Sequence, residues 1–266
     1  MADAHSPREI ARKVEILGVA KTQSPTLSLL LLAVLAGAFV SLGALFFTVV
    51  VTGSGLGFGI TRLIGGTSFS LGLILVVVAG AELFTGNNLL AMAWASGRIR
   101  ARELVRSWLL VYAGNVIGCL GTVLLVLWAD VASLGGGAVG ETALEIARAK
   151  AGLSIGAAFA RGILCNALVC LAVWLAMGGR SVADRILAIL FPITAFVAMG
   201  FEHSIANWFF LPFALALDGQ GSVSWIGVGR NLAAVSVGNV VGGTLLVAGV
   251  YWVAYLWSGA APSERS

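Results

Sequence analysis

Of the two histidines in this chain, His203 stands where a histidine is costly. It lies in Phe201-Glu202-His203-Ser204-Ile205-Ala206-Asn207, inside an apolar run from Ile186 to Leu217 that would otherwise span a bilayer. A carboxylate and an imidazole at membrane mid-depth are tolerated only where they face protein or water, which marks a functional pathway. An imidazole exchanges protons near neutral pH, its unperturbed pKa being about 6.5. The chemistry that fits is charge removal. A bare anion in a narrow apolar neck faces a Born penalty on the order of tens of kcal/mol. The conjugate base of a weak acid escapes most of that penalty by taking up a proton. A second interruption, Glu82-Leu83-Phe84-Thr85-Gly86-Asn87-Asn88, breaks an earlier apolar run. Two broken helices meeting at mid-depth form a substrate pathway, and the half-helices after each break aim positive N-terminal ends toward the anion.

Composition sets the frame. Across 266 residues, 59% are hydrophobic and 11% charged, with a mean hydropathy of +1.00. Soluble domains carry about 25% charged residues, so this is an integral membrane protein. The net charge of +4 belongs to membrane boundaries and no basic patch suggests nucleic acid. Cys119, Cys165 and Cys170 fall inside apolar segments without metal-type spacing and read as small core residues. A tail histidine, His5, and one intramembrane histidine cannot supply bis-histidine ligation, so no metal, cofactor or enzymatic activity is expected. The first 26 residues are polar and do not resemble a cleavable signal. Neutral-solute channels of the aquaporin kind place Asn-Pro-Ala at both half-helix starts, and no asparagine here precedes a proline.

Residues 1–26 read as a cytoplasmic tail with an amphipathic surface helix over 6–22, capped by Ser6 with Pro7 at its first position. Residues 27–257 read as a six-helix membrane domain, and 258–266 as a cytoplasmic tail. The spans are Leu27–Val51, about Thr67–Ser96 with a break, Ser107–Trp128, about Ser154–Met177, Ile186–Leu217 with a break, and Asn231–Trp257. Ala129–Lys150 reads as the longest and most acidic loop. With the N-terminus inside, eleven Lys and Arg lie on the inner side and four outside, Arg161 being set apart as intramembrane. Both termini are therefore expected in the cytoplasm, in a multi-pass cell-membrane protein. Gly114-Asn115-Val116-Ile117-Gly118 is echoed by Gly238-Asn239-Val240-Val241-Gly242, and the broken spans also correspond. The repeat unit is three spans, which inverts the second copy relative to the first. The glycines read as close-packing positions. Glu82 and Glu202 read as acceptors for backbone N–H groups freed at the breaks, and Asn207 and Asn239 as supporting polar residues. Arg161 reads as snorkelling to the outer interface or packing between subunits.

Three stretches together resemble the formate/nitrite transporter family. Val77-Val78-Ala79-Gly80-Ala81-Glu82-Leu83-Phe84-Thr85-Gly86 looks like its first signature, and Gly162-Ile163-Leu164-Cys165-Asn166-Ala167-Leu168-Val169-Cys170-Leu171-Ala172 like its second. The stretch around His203 is similar to its central-histidine motif. Ala167 departs from the pattern, where members usually carry a large apolar residue. The resemblance implies an aquaporin-like, all-α protomer in a homopentamer, with one pathway per protomer. It implies passage of small monovalent anions, formate first and nitrite, hydrosulfide or short monocarboxylates as alternatives, often coupled to protons. It makes His203 the central histidine, Thr85 its hydrogen-bonding partner and Asn166 a polar residue lining the path. It also makes Lys150 the basic residue near the outer mouth, and Phe69, Phe196 and Leu83 the apolar constrictions.

Overall fold

Ser6 starts the first helix. Its Oγ accepts from the Glu9 N–H at 3.4 Å, and Glu9 Oε2 accepts from the Ser6 N–H at 2.7 Å, a reciprocal capping box. A computed structural model describes residues 4–257, so the tail expected at 258–266 lies outside the described residues. In chain order the helices are α1 (Pro7–Thr22), α2 (Thr26–Val51), α3 (Phe58–Ala79), α4 (Ala91–Ala95), α5 (Ala101–Trp128) and α6 (Ala138–Ala151). They continue with α7 (Ile155–Gly178), α8 (Val182–Ala198), α9 (Ser204–Leu217), α10 (Trp225–Val241) and α11 (Val250–Tyr255). A 3₁₀ stretch over Gly86–Leu90 leads into α4, and a π-helical stretch over Gly242–Gly249 joins α10 to α11. There is no strand among the described residues.

Five helical stretches are long and apolar enough to cross a membrane: α2, α3, α5, α7 and the continuous run Trp225–Tyr255. Helix α9 is apolar but shorter. Helix α3 begins at Phe58, earlier than expected, because Gly65 and Gly66, poor helix formers in isolation, sit where α3 packs closely on Phe47 of α2 and on the Thr194 backbone of α8; it carries Arg62. Its end is abrupt. Gly80, at φ +85°, turns the chain in the left-handed region, and the Ala81 N–H bonds back to the Val76 carbonyl at 2.8 Å. Helix α8 ends by the same device: Gly200 has φ +73°, and the Phe201 N–H reaches the Phe196 carbonyl at 3.0 Å.

The glycines of the two echoed motifs sit where helices almost touch. A β-carbon at Gly118 would overlap the Val34 carbonyl of α2, and one at Gly242 the Ile163 carbonyl of α7. The α2–α5 and α7–α10 crossings are thus small-residue contacts of the kind that lets membrane helices pack backbone to backbone.

Two amphipathic helices complete the frame. The apolar face of α1, with Ile10, Ala11 and Val14, packs on a cluster holding Leu89, Met92 and Trp174. The other is a correction. The stretch 129–150, expected as a loop, contains α6, which buries Val139, Ala143, Ala147 and Ala151 at four-residue spacing. Three of those four side chains are alanines, so the periodic apolar signal is weak, and Gly135-Gly136-Gly137 just before them imitates a loop.

Candidate pathway between two cavities

The segments after Gly80 and Gly200 must satisfy backbone groups that no helix serves. Asparagines do this. Asn115 Oδ1 accepts from the Phe84 N–H at 2.9 Å, while its Nδ2 donates to the carbonyls of Ala33 at 2.7 Å and Glu82 at 2.9 Å. Asn239 repeats the pattern on the other segment: its Oδ1 accepts from the Ser204 N–H at 2.8 Å, and its Nδ2 donates to Gly162 O at 2.8 Å and Glu202 O at 3.0 Å.

The carboxylates do something other than hold freed backbone N–H groups. Glu82 pairs with Lys21 at 3.0 Å and accepts from Asn87 Nδ2 at 2.7 Å. Glu202 pairs with Lys150 at 3.0 Å and accepts from Asn207 Nδ2 at 2.7 Å, with Asn231 Nδ2 at 3.4 Å. Each interrupted segment therefore carries a triad of lysine, glutamate and asparagine. Helix α1 supplies the lysine to one and α6 to the other, so these two amphipathic helices are counterparts.

His203 caps one helix and reaches across to another segment. Its Nδ1 accepts from the Ala206 N–H at 3.1 Å, which caps α9, and its Nε2 lies 3.0 Å from Thr85 Oγ1. Because Nδ1 accepts from a backbone donor, the neutral ring carries its proton on Nε2 and donates it to Thr85. The Phe196 ring lies near-parallel to the imidazole, centroids 6.1 Å apart, and meets Phe69 edge-on at 5.5 Å.

Two cavities lie at opposite ends of α3. One, of about 210 Å³, is lined by Arg62, Phe69, Lys150, Phe196 and His203 among others. The other, of about 370 Å³, is lined by Lys21, Leu73, Val76, Glu82 and Leu83 among others. The structure thus brings Lys150, Glu202, Phe69, Phe196 and His203 to one cavity and Glu82 and Leu83 to the other. Thr85 is fully buried beside the histidine. Asn166, also fully buried, lines neither cavity; its Nδ2 donates to Asn88 Oδ1 at 2.8 Å and Asn239 O at 2.6 Å. Arg161 lies on the wall of the first cavity and donates to the Gly200 carbonyl. Lys21, Asn87, Asn115 and Asn231 were not singled out as site residues from the sequence. A signal existed: Glu82 and Asn87, like Glu202 and Asn207, are five residues apart.

Apolar helices of spanning length, with two cavities converging on a buried polar centre, define a multi-pass membrane protein of the channel or transporter class. A profile described as "Formate/nitrite transporter" matches residues 8–253, and the chain belongs to the formate/nitrite transporter family. It is 40% identical over 268 residues to the formate channel FocA of Escherichia coli (strain K12), covering 94% of each chain. Among solved structures it is similar to one described as a pentameric formate channel with formate bound, at TM-score 0.81 and 39% identity, covering 87% of this chain and 98% of that one. It is also similar to an FNT family ion channel at TM-score 0.84 and 27% identity, covering 92% and 98%.

Proposed function

We propose that this protein is a membrane channel for small monovalent anions of weak acids, formate first and nitrite next, with proton exchange at His203. The observation that carries the reading is the imidazole held between Thr85 and the start of α9 on the wall of a cavity. The similar proteins described as formate channels support the substrate.

The architecture proposed for residues 27–257 has six spans. They are α2, α3 with the 86–95 segment, α5, α7, α8 with α9, and the α10–α11 run. The second and fifth are broken at Gly80 and Gly200, and the halves are inverted copies, each introduced by an amphipathic helix. Five such protomers assemble around an axis. Both termini are cytoplasmic, which makes the α6-side cavity the outer vestibule and the α1-side cavity the inner one.

Mechanistically, Phe69 and Phe196 on one side and Leu83 on the other squeeze the path to an apolar neck that a bare anion does not cross. The resting ring is neutral. Charging it requires a proton on Nδ1, and that nitrogen must release the Ala206 N–H, so ring charge and the α9 cap exclude each other. Solvent in the cavity that the ring lines supplies that proton, and the imidazolium then surrenders the Nδ1 proton to the waiting anion. A neutral acid moves on, and the neutral ring caps α9 again. Thr85 fixes the ring through Nε2. Asn166 stiffens the wall next to the path through Asn88 and Asn239.

The test is flux into vesicles of formate, nitrite, hydrosulfide, acetate and chloride, compared from about pH 5 to about pH 8. Weak-acid anions are expected to pass faster as pH falls, and chloride, which takes no proton in that range, to pass poorly. Chloride flux equal to formate flux at every pH would overturn proton exchange as the passage mechanism.

A further inference from the structure

We propose that Arg62 and Arg161 form an anion-loading site in the α6-side cavity, ahead of the Phe69–Phe196 constriction, specific for a small planar oxyanion. This rests on the anion pathway proposed above and adds a station to it. Arg62 projects from α3 and Arg161 from α7, and both line the cavity. A methyl group placed on Gly200 would lie 3.6 Å from Arg62 Nη2 and 3.9 Å from Arg161 Nη1, so the two guanidinium ends face one another across a single glycine.

Charge is the first argument. Lys150 in the same cavity is neutralised by Glu202 at 3.0 Å, whereas neither arginine is within ion-pair distance of a carboxylate among the described residues. Glu202 also acts on Arg62 at longer range, but it is already paired with Lys150, so the two facing arginines leave the cavity with positive charge in excess and repel each other. An anion between them removes that repulsion.

Geometry is the second argument. Arg62 spends Nε on the Ala198 carbonyl at 3.2 Å and Nη2 on the Val197 carbonyl, leaving Nη1 free. Arg161 spends Nη1 on the Gly200 carbonyl at 3.4 Å, leaving Nη2 and Nε free. The carbonyls at the end of α8 therefore fix both side chains while leaving donors on each. Planar guanidinium forks match the two oxygens of a carboxylate or nitrite in a way a lysine or a spherical halide does not.

The experiment measures formate uptake against concentration in right-side-out and in inverted membrane vesicles, for the wild type, Arg161→Gln, Arg161→Lys and Arg62→Lys. Arg161→Gln is expected to raise the half-saturating concentration on the order of fivefold, the size of a unit-charge attraction at about 4 Å in water. The rise is confined to entry from the α6 face, with maximal flux retained. Arg161→Lys keeps the charge and falls between, and it loses preference for formate over chloride as a competitor. Ionic strength from a bulky impermeant salt weakens wild-type entry from that face more than it weakens the Gln variant. Unchanged half-saturation in Arg161→Gln overturns the site. So does an equal rise from both faces, which would mean a general distortion. Failure of the wild type to carry any weak-acid anion instead sinks the pathway itself, and is seen before any variant is compared.

Discussion

Replacing His203 by asparagine and, separately, by phenylalanine separates its two jobs. Asparagine keeps an oxygen where Nδ1 now accepts the Ala206 N–H, and asparagine is among the strongest N-caps, whereas phenylalanine leaves that donor bare. The lost cap is worth about 1 kcal/mol. Both substitutions strand the Thr85 hydroxyl, which is fully buried, at a cost of about 1–3 kcal/mol. His203→Asn should therefore be destabilised by about 1–3 kcal/mol and His203→Phe by about 1 kcal/mol more. Denaturant titration of the detergent-purified protein reads the difference, and hydrogen exchange at Ala206 locates it. Transport separates the variants differently. Neither side chain gains or loses a proton near neutral pH, so formate flux should fall at least about tenfold in both, equivalent to about 1.4 kcal/mol of barrier. Wild-type flux with unchanged pH dependence in His203→Asn would refute the proton-exchange role. Equal destabilisation of the two variants, with equal exchange at Ala206, would refute the capping role.

Other consequences follow from the same geometry. The Lys150–Glu202 pair is more buried than Lys21–Glu82, with side-chain exposures of 15% and 5% against 28% and 11%. Glu202→Gln should then approach the roughly 3–5 kcal/mol of a broken buried pair and Glu82→Gln fall short of it, while Lys150→Met with Glu202→Gln recovers part of the loss; thermal unfolding of the four proteins checks this ordering. Gly118→Ala and Gly242→Ala should push their helices apart and cost more than about 2 kcal/mol, but Gly229→Ala, with open space around it, should stabilise by about 0.5–1 kcal/mol, all read by denaturation midpoints. The Glu9 carboxyl is held below its usual range, first by the Ser6 backbone N–H and then by the Ser6 hydroxyl. A depressed folded-state pKa gives stability present above the unfolded value of about 4.3 and lost as pH falls through the folded one, so amide protection at the start of α1 should decline only below about pH 4, and in Glu9→Gln, which keeps a neutral acceptor, lose that pH dependence.

What was readable in the chain was what one residue type in one place can say. A histidine and two glutamates in apolar runs can be picked out without any coordinates, because the bilayer leaves few tolerable explanations for them. Partners were harder. Lys21 and Lys150 sit at the polar ends of amphipathic helices, where a lysine is ordinary, and only the fold carries each to a carboxylate more than fifty residues away, 3.0 Å distant in both cases. Asn115 and Asn239 were visible as a repeated motif, but their task of satisfying interrupted backbone depends on which helices cross there. Helix α6 stayed hidden because alanines at four-residue spacing bury well under α9 yet hardly stand out in a hydropathy trace. Arg161 reads from the sequence as snorkelling outward or packing between subunits for a related reason: a charged side chain two turns into a span says nothing about which wall it reaches.

The two interrupted segments are held alike, yet Leu83 follows Glu82 where His203 follows Glu202, and Phe84 bonds Asn115 where Ser204 bonds Asn239. A perfectly twofold molecule would present identical groups from both sides, and a donor would then meet a donor. With a hydroxyl from one interrupted segment and an imidazole from the other, the buried pair is complementary instead of redundant. On the pathway proposed above, the same difference makes a solute meet the obstacles in a different order from each face, so half-saturation has no reason to be equal from the two sides, although the two fluxes balance at equal concentrations.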